Sequence, residues 1–126
     1  SGGELSRLML SIKTIVAKSM NLPTIIFDEV DTGVSGEVAE KIGSMMAELS
    51  KHIQVLAITH LPQVAAQGDN HYKVYKTDVD DSTVTSIKVL DSEARIHELA
   101  AMLSGSSISQ SAIENAKTLL KHKITG

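Results

Sequence analysis

The sequence contains no cysteine, no tryptophan, two prolines and only three aromatic residues, Phe27, Tyr72 and Tyr75. Without cysteine there is no disulfide framework, no thiolate nucleophile and no Cys-ligated zinc. Three aromatics cannot supply a row of platforms for stacking bases. Charge of one sign is also missing: twelve basic and fifteen acidic side chains leave −3 with the histidines neutral. Such a balance offers no electrostatic footprint for nucleic acid, which needs clustered Lys and Arg. The longest apolar runs are a few residues, far short of the roughly 18 that a membrane span needs. What is present is 126 residues that are 42% hydrophobic. That is enough for one domain, residues 1–126, with a core that requires no metal or disulfide staple. The chain opens Ser1-Gly2-Gly3-Glu4 with neither an initiator Met nor a signal-peptide pattern. It is therefore expected to be a piece of something longer.

Apolar residues at Leu5, Leu8, Met9, Ile12, Val16 and Met20 have the spacing of an amphipathic helix, with Arg7, Ser11, Thr14 and Lys18 on the other side. Asn21 and Pro23 should end it. Thr24–Phe27 is a continuous β-branched and aromatic run, as in a strand buried on both faces, and it stops at Asp28-Glu29. After a turn at 31–36, with Ser35 placed to cap, Val38, Ile42, Met45, Met46 and Leu49 mark a second helix. Glu37 and Lys41 stand four apart on its wet side. Ile53–Ile58 is a second buried strand, ending in Thr59-His60. Strand, helix, strand at this spacing is a βαβ unit with parallel strands. A short helical stretch to about Gln67 follows, then a hairpin of 71–77 and 83–90 around 78–82. Two helices close the chain, one capped by Ser92 and carrying Ile96, Leu99, Ala100 and Leu103, the other opened by a capping box at Ser111–Glu114. The fold class is thus α/β: a parallel βαβ core, a hairpin and two C-terminal helices.

In a parallel sheet, ligands bind outside the carboxyl ends of the strands. Both buried strands deliver polar residues there: Asp28 and Glu29 from the first, Thr59 and His60 from the second. Side chains alternate along a strand, so the adjacent carboxylates should point different ways, which suits two tasks such as holding a metal and orienting a water. The plainer explanation is that polar residues end every strand at the surface; a pair of acids with a histidine on one rim favours chemistry. Ser1-Gly2-Gly3 stands before a helix, where free N–H groups and the helix dipole attract anions. Taken alone, that tripeptide is more often a cap or loop.

Together these pieces carry more. Ser1-Gly2-Gly3-Glu4 opening a helix, Thr24–Glu29 some twenty residues later, and Ile58-Thr59-His60 resemble the second half of an ABC-type ATPase head. They stand where that family has its signature, Walker B and switch-histidine motifs. Glu4, the segments Asp28–Gly36 and Thr59–Ala66, and Arg95–Gly105 are similar to the SMC-like branch of bacterial DNA-repair ATPases, so that the resemblance covers nearly the whole chain. The resemblance implies the C-terminal lobe of an ATPase head working on ATP with Mg²⁺. Asp28 would help hold Mg²⁺. Glu29 would be the general base or water-positioning residue, and His60 would contact and sense the γ-phosphate. Ser1, Gly2 and Gly3 would bind the γ-phosphate of a nucleotide held by the opposite subunit, and Asp31 would also serve the nucleotide site from the segment matching the D-loop, which runs across the dimer interface. These roles agree with phosphoryl transfer, which needs charge stabilisation and an aligned water more than covalent help.

The same resemblance implies a full-length ATPase that forms an ATP-dependent homodimer of heads and engages DNA, with no membrane partner, in the bacterial cytoplasm at the nucleoid. Two other functions are weighed against it: a transporter nucleotide-binding domain, which Glu4 and Asp31–Gly36 disfavour, and a non-catalytic dimerisation or interaction module. Departures from the family pattern are plain. No G-x-x-x-x-G-K-[ST] occurs, and neither the Q-loop nor a coiled coil is present. The Leu before the signature Ser is missing, and Gly68 stands where Ala is expected. The chain by itself is expected to be inactive for want of the phosphate cradle.

Other conspicuous residues have ordinary explanations. His52, His97 and His122 are expected on the surface. His71 near Asp69 lacks a third metal ligand. The five Met residues suit packing. Lys73 and Lys76 suit a solvated hairpin edge, and Asp78, Asp80 and Asp81 a turn.

Overall fold

Asn21 takes a left-handed backbone (φ 52°), which its short polar side chain tolerates, and so ends the first helix. Leu22 N–H donates to Ala17 O and Asn21 N–H to Lys18 O, closing the last turn before Pro23. In the computed structural model, which describes residues 2–28, 33–105 and 107–123, this helix is α1, Gly2–Ser19. It leads into β1 (Thr24–Asp28), α2 (Gly36–Leu49), β2 (Gln54–Ile58) and the single turn α3 (Pro62–Ala65). The chain continues through β3 (Tyr72–Val79), β4 (Ser82–Val89), α4 (Ser92–Ser104) and α5 (Gln110–Lys121).

β1 and β2 pair in parallel, in the register Thr24↔Gln54 through Asp28↔Ile58. β3 and β4 pair antiparallel around Asp80 and Asp81, both at positive φ, which gives a two-residue hairpin turn matched to strand twist. The α/β architecture is the expected one, with the parallel pair, the hairpin and the two terminal helices in that order.

One core joins Leu10 of α1, Phe27 of β1, Val34, the α2 residues Ala39, Ile42, Met46 and Leu49, and Val64 of α3. Ile25 and Val55 pack against it from the strands. A second core is Ala66 with Leu99 and Ala100 of α4 and Ala112 and Ala116 of α5. Each fully buried large side chain, such as Phe27 or Leu99, contributes about 2–3 kcal/mol relative to exposure.

Several expectations require correction. The strands are covered on one face only: Ile26, Leu56 and Ile58 on the other face are 44–58% exposed. α1 turns its leucine-rich stripe outward, with Leu5, Leu8, Ile12, Val16 and Met20 exposed, and buries Leu10 and Ala17 instead. Lys13, on the buried side, lies 6.0 Å from the Phe27 ring centre. The helical period is as expected, but the covered face is the one whose Leu10 joins Phe27 and the α2 residues in the core. The cap of α4 is Asp91, whose carboxylate accepts from Ala94 N–H, and that of α5 is Ser109, which accepts from Ala112 N–H. Each lies upstream of the serine expected to cap. Ser35 occupies the cap position of α2 without a side-chain hydrogen bond.

Candidate functional site

The parallel register decides where the strand-end residues go. Asp28 pairs with Ile58, so it lies one residue short of level with Thr59 and two short of His60, at the same carboxyl end of the pair. Asp28 shares the uncovered face with Ile26, Leu56 and Ile58, because side chains alternate along a strand. α1 leads straight back into β1, so its N-terminus returns to this end of the layer. There a Cβ on Gly3 would stand 3.4 Å from Val38 in the first turns of α2. Gly2, Gly3, Asp28, Thr59 and His60 are therefore assembled at one end of the βαβ unit. Ser1, Glu29 and Asp31 lie outside the described residues.

The His60 segment is held on both sides. Thr59 Oγ1 accepts from Leu61 N–H at 3.0 Å, turning the chain out of β2. Pro62 then opens α3 at the first helical position, where a missing N–H costs nothing. α2 lies close against α3 at Gly43, where a Cβ would stand 2.9 Å from Gln63 O. At the far end of α3, Arg95 of α4 sends Nη2 to the carbonyls of Ala65 (3.0 Å), Ala66 (3.2 Å) and Gly68 (2.5 Å). A cation on the carbonyl end of a helix is favourable both as a hydrogen-bond donor and against the dipole.

Around Arg95 the charges are paired. Lys123 Nζ lies 2.7 Å from Asp69 Oδ1, and this hydrogen bond, with the lysine charge, holds the Asp69 carboxyl below its usual range. Lys73 pairs with Glu98 at 2.7 Å, tying the hairpin to α4. His71 is pushed below the ordinary histidine range by burial and then by Arg95. Its Nδ1 is buried and makes no hydrogen bond among the described residues. Asp69 is thus a lysine partner, not half of a metal pair. No cluster of three or more His, Asp or Glu suited to a metal occurs among the described residues. A lone Asp28 does fit Mg²⁺, which is commonly held by one or two carboxylates plus the phosphates of its nucleotide.

Sequence reasoning missed Arg95 as a structural anchor. The available signal was its position four residues before Leu99, on the apolar side of a helix where a charge needs a partner.

No protein-family model matches the chain. Among curated proteins, it is 47% identical over 124 residues to the DNA repair protein RecN of Rickettsia bellii, covering 98% of this chain and 22% of that protein. Against RecN of Vibrio cholerae the identity is 48% over 120 residues, and against that of Haemophilus influenzae 44% over 120 residues. Each of these covers 95% of this chain and 22% of the relative. The chain matches the C-terminal region of RecN. It spans about a fifth of the length of the RecN relatives. A solved structure from work on ATP-driven dimerization and DNA-stimulated activation of SMC ATPases superposes with a TM-score of 0.66 at 21% identity. It covers 85% of this chain and 64% of its own, and it establishes the fold of the RecN-like chain as that of an SMC ATPase head.

Proposed function

We propose that this chain is the C-terminal lobe of a RecN-type ATPase head, a single folded unit that supplies the water-activating half of an ATP site. The observation that carries the reading is the parallel register, which sets Asp28 and His60 at one carboxyl rim of a chain with RecN relatives. On this reading Asp28 holds Mg²⁺ through one carboxylate. The ion, when bound with the nucleotide, offsets charge developing on the phosphates. Glu29 accepts a proton from, or aligns, the attacking water, and His60 donates to the γ-phosphate and registers its loss. Gly2 and Gly3 present backbone N–H groups at the start of α1, with Ser1 beside them, to the nucleotide of a second head. Asp31 runs across that same dimer contact.

The outward apolar stripe of α1 and the bare strand face support the view that a P-loop lobe completes the head. Burying such a surface is worth about 25 cal/mol per Å². The alternation of an ATP-closed and an open head dimer then serves a DNA-repair protein of the bacterial cytoplasm, acting at the nucleoid. Contact with DNA is made by the full-length protein, through parts outside this chain or through a local patch that its overall charge of −3 hides. Among the described residues no helix is long and apolar enough to cross a membrane.

The test is Glu29→Gln in the full-length protein. Loss of a general base typically costs roughly 10²–10⁴-fold in rate, so turnover should fall by that order while an ATP-dependent dimer accumulates in light scattering. Turnover equal to wild type would remove Glu29 from this role. The 126-residue chain alone should neither bind Mg·ATP tightly nor hydrolyse it; micromolar affinity in calorimetry would contradict the missing-cradle reading.

A further inference from the structure

We propose that Arg95 is a positioning residue for His60, fixing the height of the switch histidine on the rim by clamping the helix that follows it. The inference rests on the reading of His60 given above and extends it to a residue thirty-five positions away.

The backbone around His60 is held upstream by the strand ladder and downstream by the helix that follows it. Upstream, Ile58 is held by the ladder opposite Asp28. Downstream, Leu61 donates its N–H to Thr59 Oγ1 and packs on the core, and the chain runs at once into α3, which starts at Pro62 and has a single turn. A helix this short has no stability of its own, because nucleation is not repaid by propagation. Its place is therefore set by neighbours: the close approach of α2 at Gly43, Val64 in one core, Ala66 in the other, and Arg95 at its carbonyl end.

Arg95 differs from the other three in kind. Apolar contacts permit small slides, whereas one guanidinium nitrogen shared by Ala65, Ala66 and Gly68 fixes the end of α3 in direction as well as in distance. Ala65 O also accepts from Gly68 N–H, but Ala66 O and Gly68 O lose their side-chain donor when the half-buried cation is removed. Gly68 belongs to the same clamp: a Cβ there would stand 3.0 Å from Asn70 O and 3.9 Å from Arg95 Nη2. One turn along α4, Glu98 holds Lys73 of the hairpin, so the clamp is anchored to the C-terminal helices and the hairpin together. His60 is thereby coupled to elements remote from the rim.

The experiment measures ATP turnover by the full-length protein for wild type, Arg95→Ala, Arg95→Lys, His60→Ala and the double variant His60→Ala/Arg95→Ala. Small misplacement of a reacting group costs on the order of ten- to a hundredfold in rate. Arg95→Ala should lower kcat by about tenfold or more with KM for ATP within about twofold, and Arg95→Lys should recover part of the loss. The double variant should turn over within about twofold of His60→Ala alone, because both changes remove one function. A merely structural role for Arg95 would lower the melting temperature without the kcat loss, or give losses that multiply in the double variant; either result overturns the proposal. If Arg95→Ala does not fold, Arg95→Lys alone and combined with His60→Ala makes the same comparison. Normal turnover by His60→Ala would refute the underlying reading of the histidine. A defect in His60→Ala with wild-type kcat in both Arg95 variants would refute the clamp alone.

Discussion

Gly43→Ala sets two known effects against each other at one atom. Gly43 is buried in the interior of α2, where replacing glycine by alanine favours the helix by about 1 kcal/mol. The added Cβ would stand 2.9 Å from Gln63 O, 3.1 Å from Gln67 Cγ and 3.4 Å from Val64 Cα. The Gln67 side chain can swing aside. The carbonyl and the Cα belong to α3 and its start, so the helix must retreat by about half an ångström to restore ordinary contact at Gln63 O. Overpacking of this kind costs roughly 1–3 kcal/mol, which leaves a net destabilisation of about 0–2 kcal/mol, centred near 1, after the helix gain. With a urea dependence of about 2 kcal/mol per molar, the central loss of about 1 kcal/mol should lower the unfolding midpoint by roughly 0.5 M in far-UV circular dichroism. Adding Gln67→Ala should recover little of it. A midpoint at or above wild type, or full recovery on adding Gln67→Ala, would refute the claim that backbone contact limits this site.

Asp91→Ala should destabilise the chain by about 0.5–2 kcal/mol through loss of the α4 cap, whereas Ser92→Ala should stay within about 0.5 kcal/mol; equal effects in denaturation would return the cap to the serine. Because burial lowers the His71 pKa below 6.5, the unfolded chain takes up its proton first as pH falls. The His71 contribution is therefore fully present above pH 6.5 and is lost as pH drops from there through the lower folded value. Wild type should lose more melting temperature between pH 7.5 and 5.5 than His71→Gln does, and parallel pH profiles would contradict the burial of that ring.

The order and type of elements were legible because each rests on local chemistry. Asn21 and Pro23 after a helical period, β-branched residues at 24–27, and two Asp at a hairpin tip all act over a few residues. The rim position of Asp28 and His60 was legible too, since it follows from strand direction alone. What could not be read was which side of an element finds a partner. α1 has a clear apolar period, yet its covered side is Leu10 and Ala17, with Leu10 set against Phe27 and the α2 residues of the core. The caps slipped because Asp91 and Ser92 are both good cap residues, and only the three-residue reach to Ala94 N–H separates them. The position of Arg95 before Leu99 signalled a need for a partner, but not which one, because its acceptors lie 27–30 residues earlier in the chain.

Val64 and Ala66 stand two residues apart and belong to different cores. A boundary drawn between the cores would have to pass through one helical turn. A break before Val64 would leave the sheet-side cluster without it, a break after Ala66 would leave the alanine-lined cluster without it, and the gap between the two lies inside that turn. Dissection, permutation or insertion at that turn should fail, while the Asp80–Asp81 tip, exposed and touching neither cluster, should accept added residues. The shortest of the described helices is the stretch that makes the two cores inseparable.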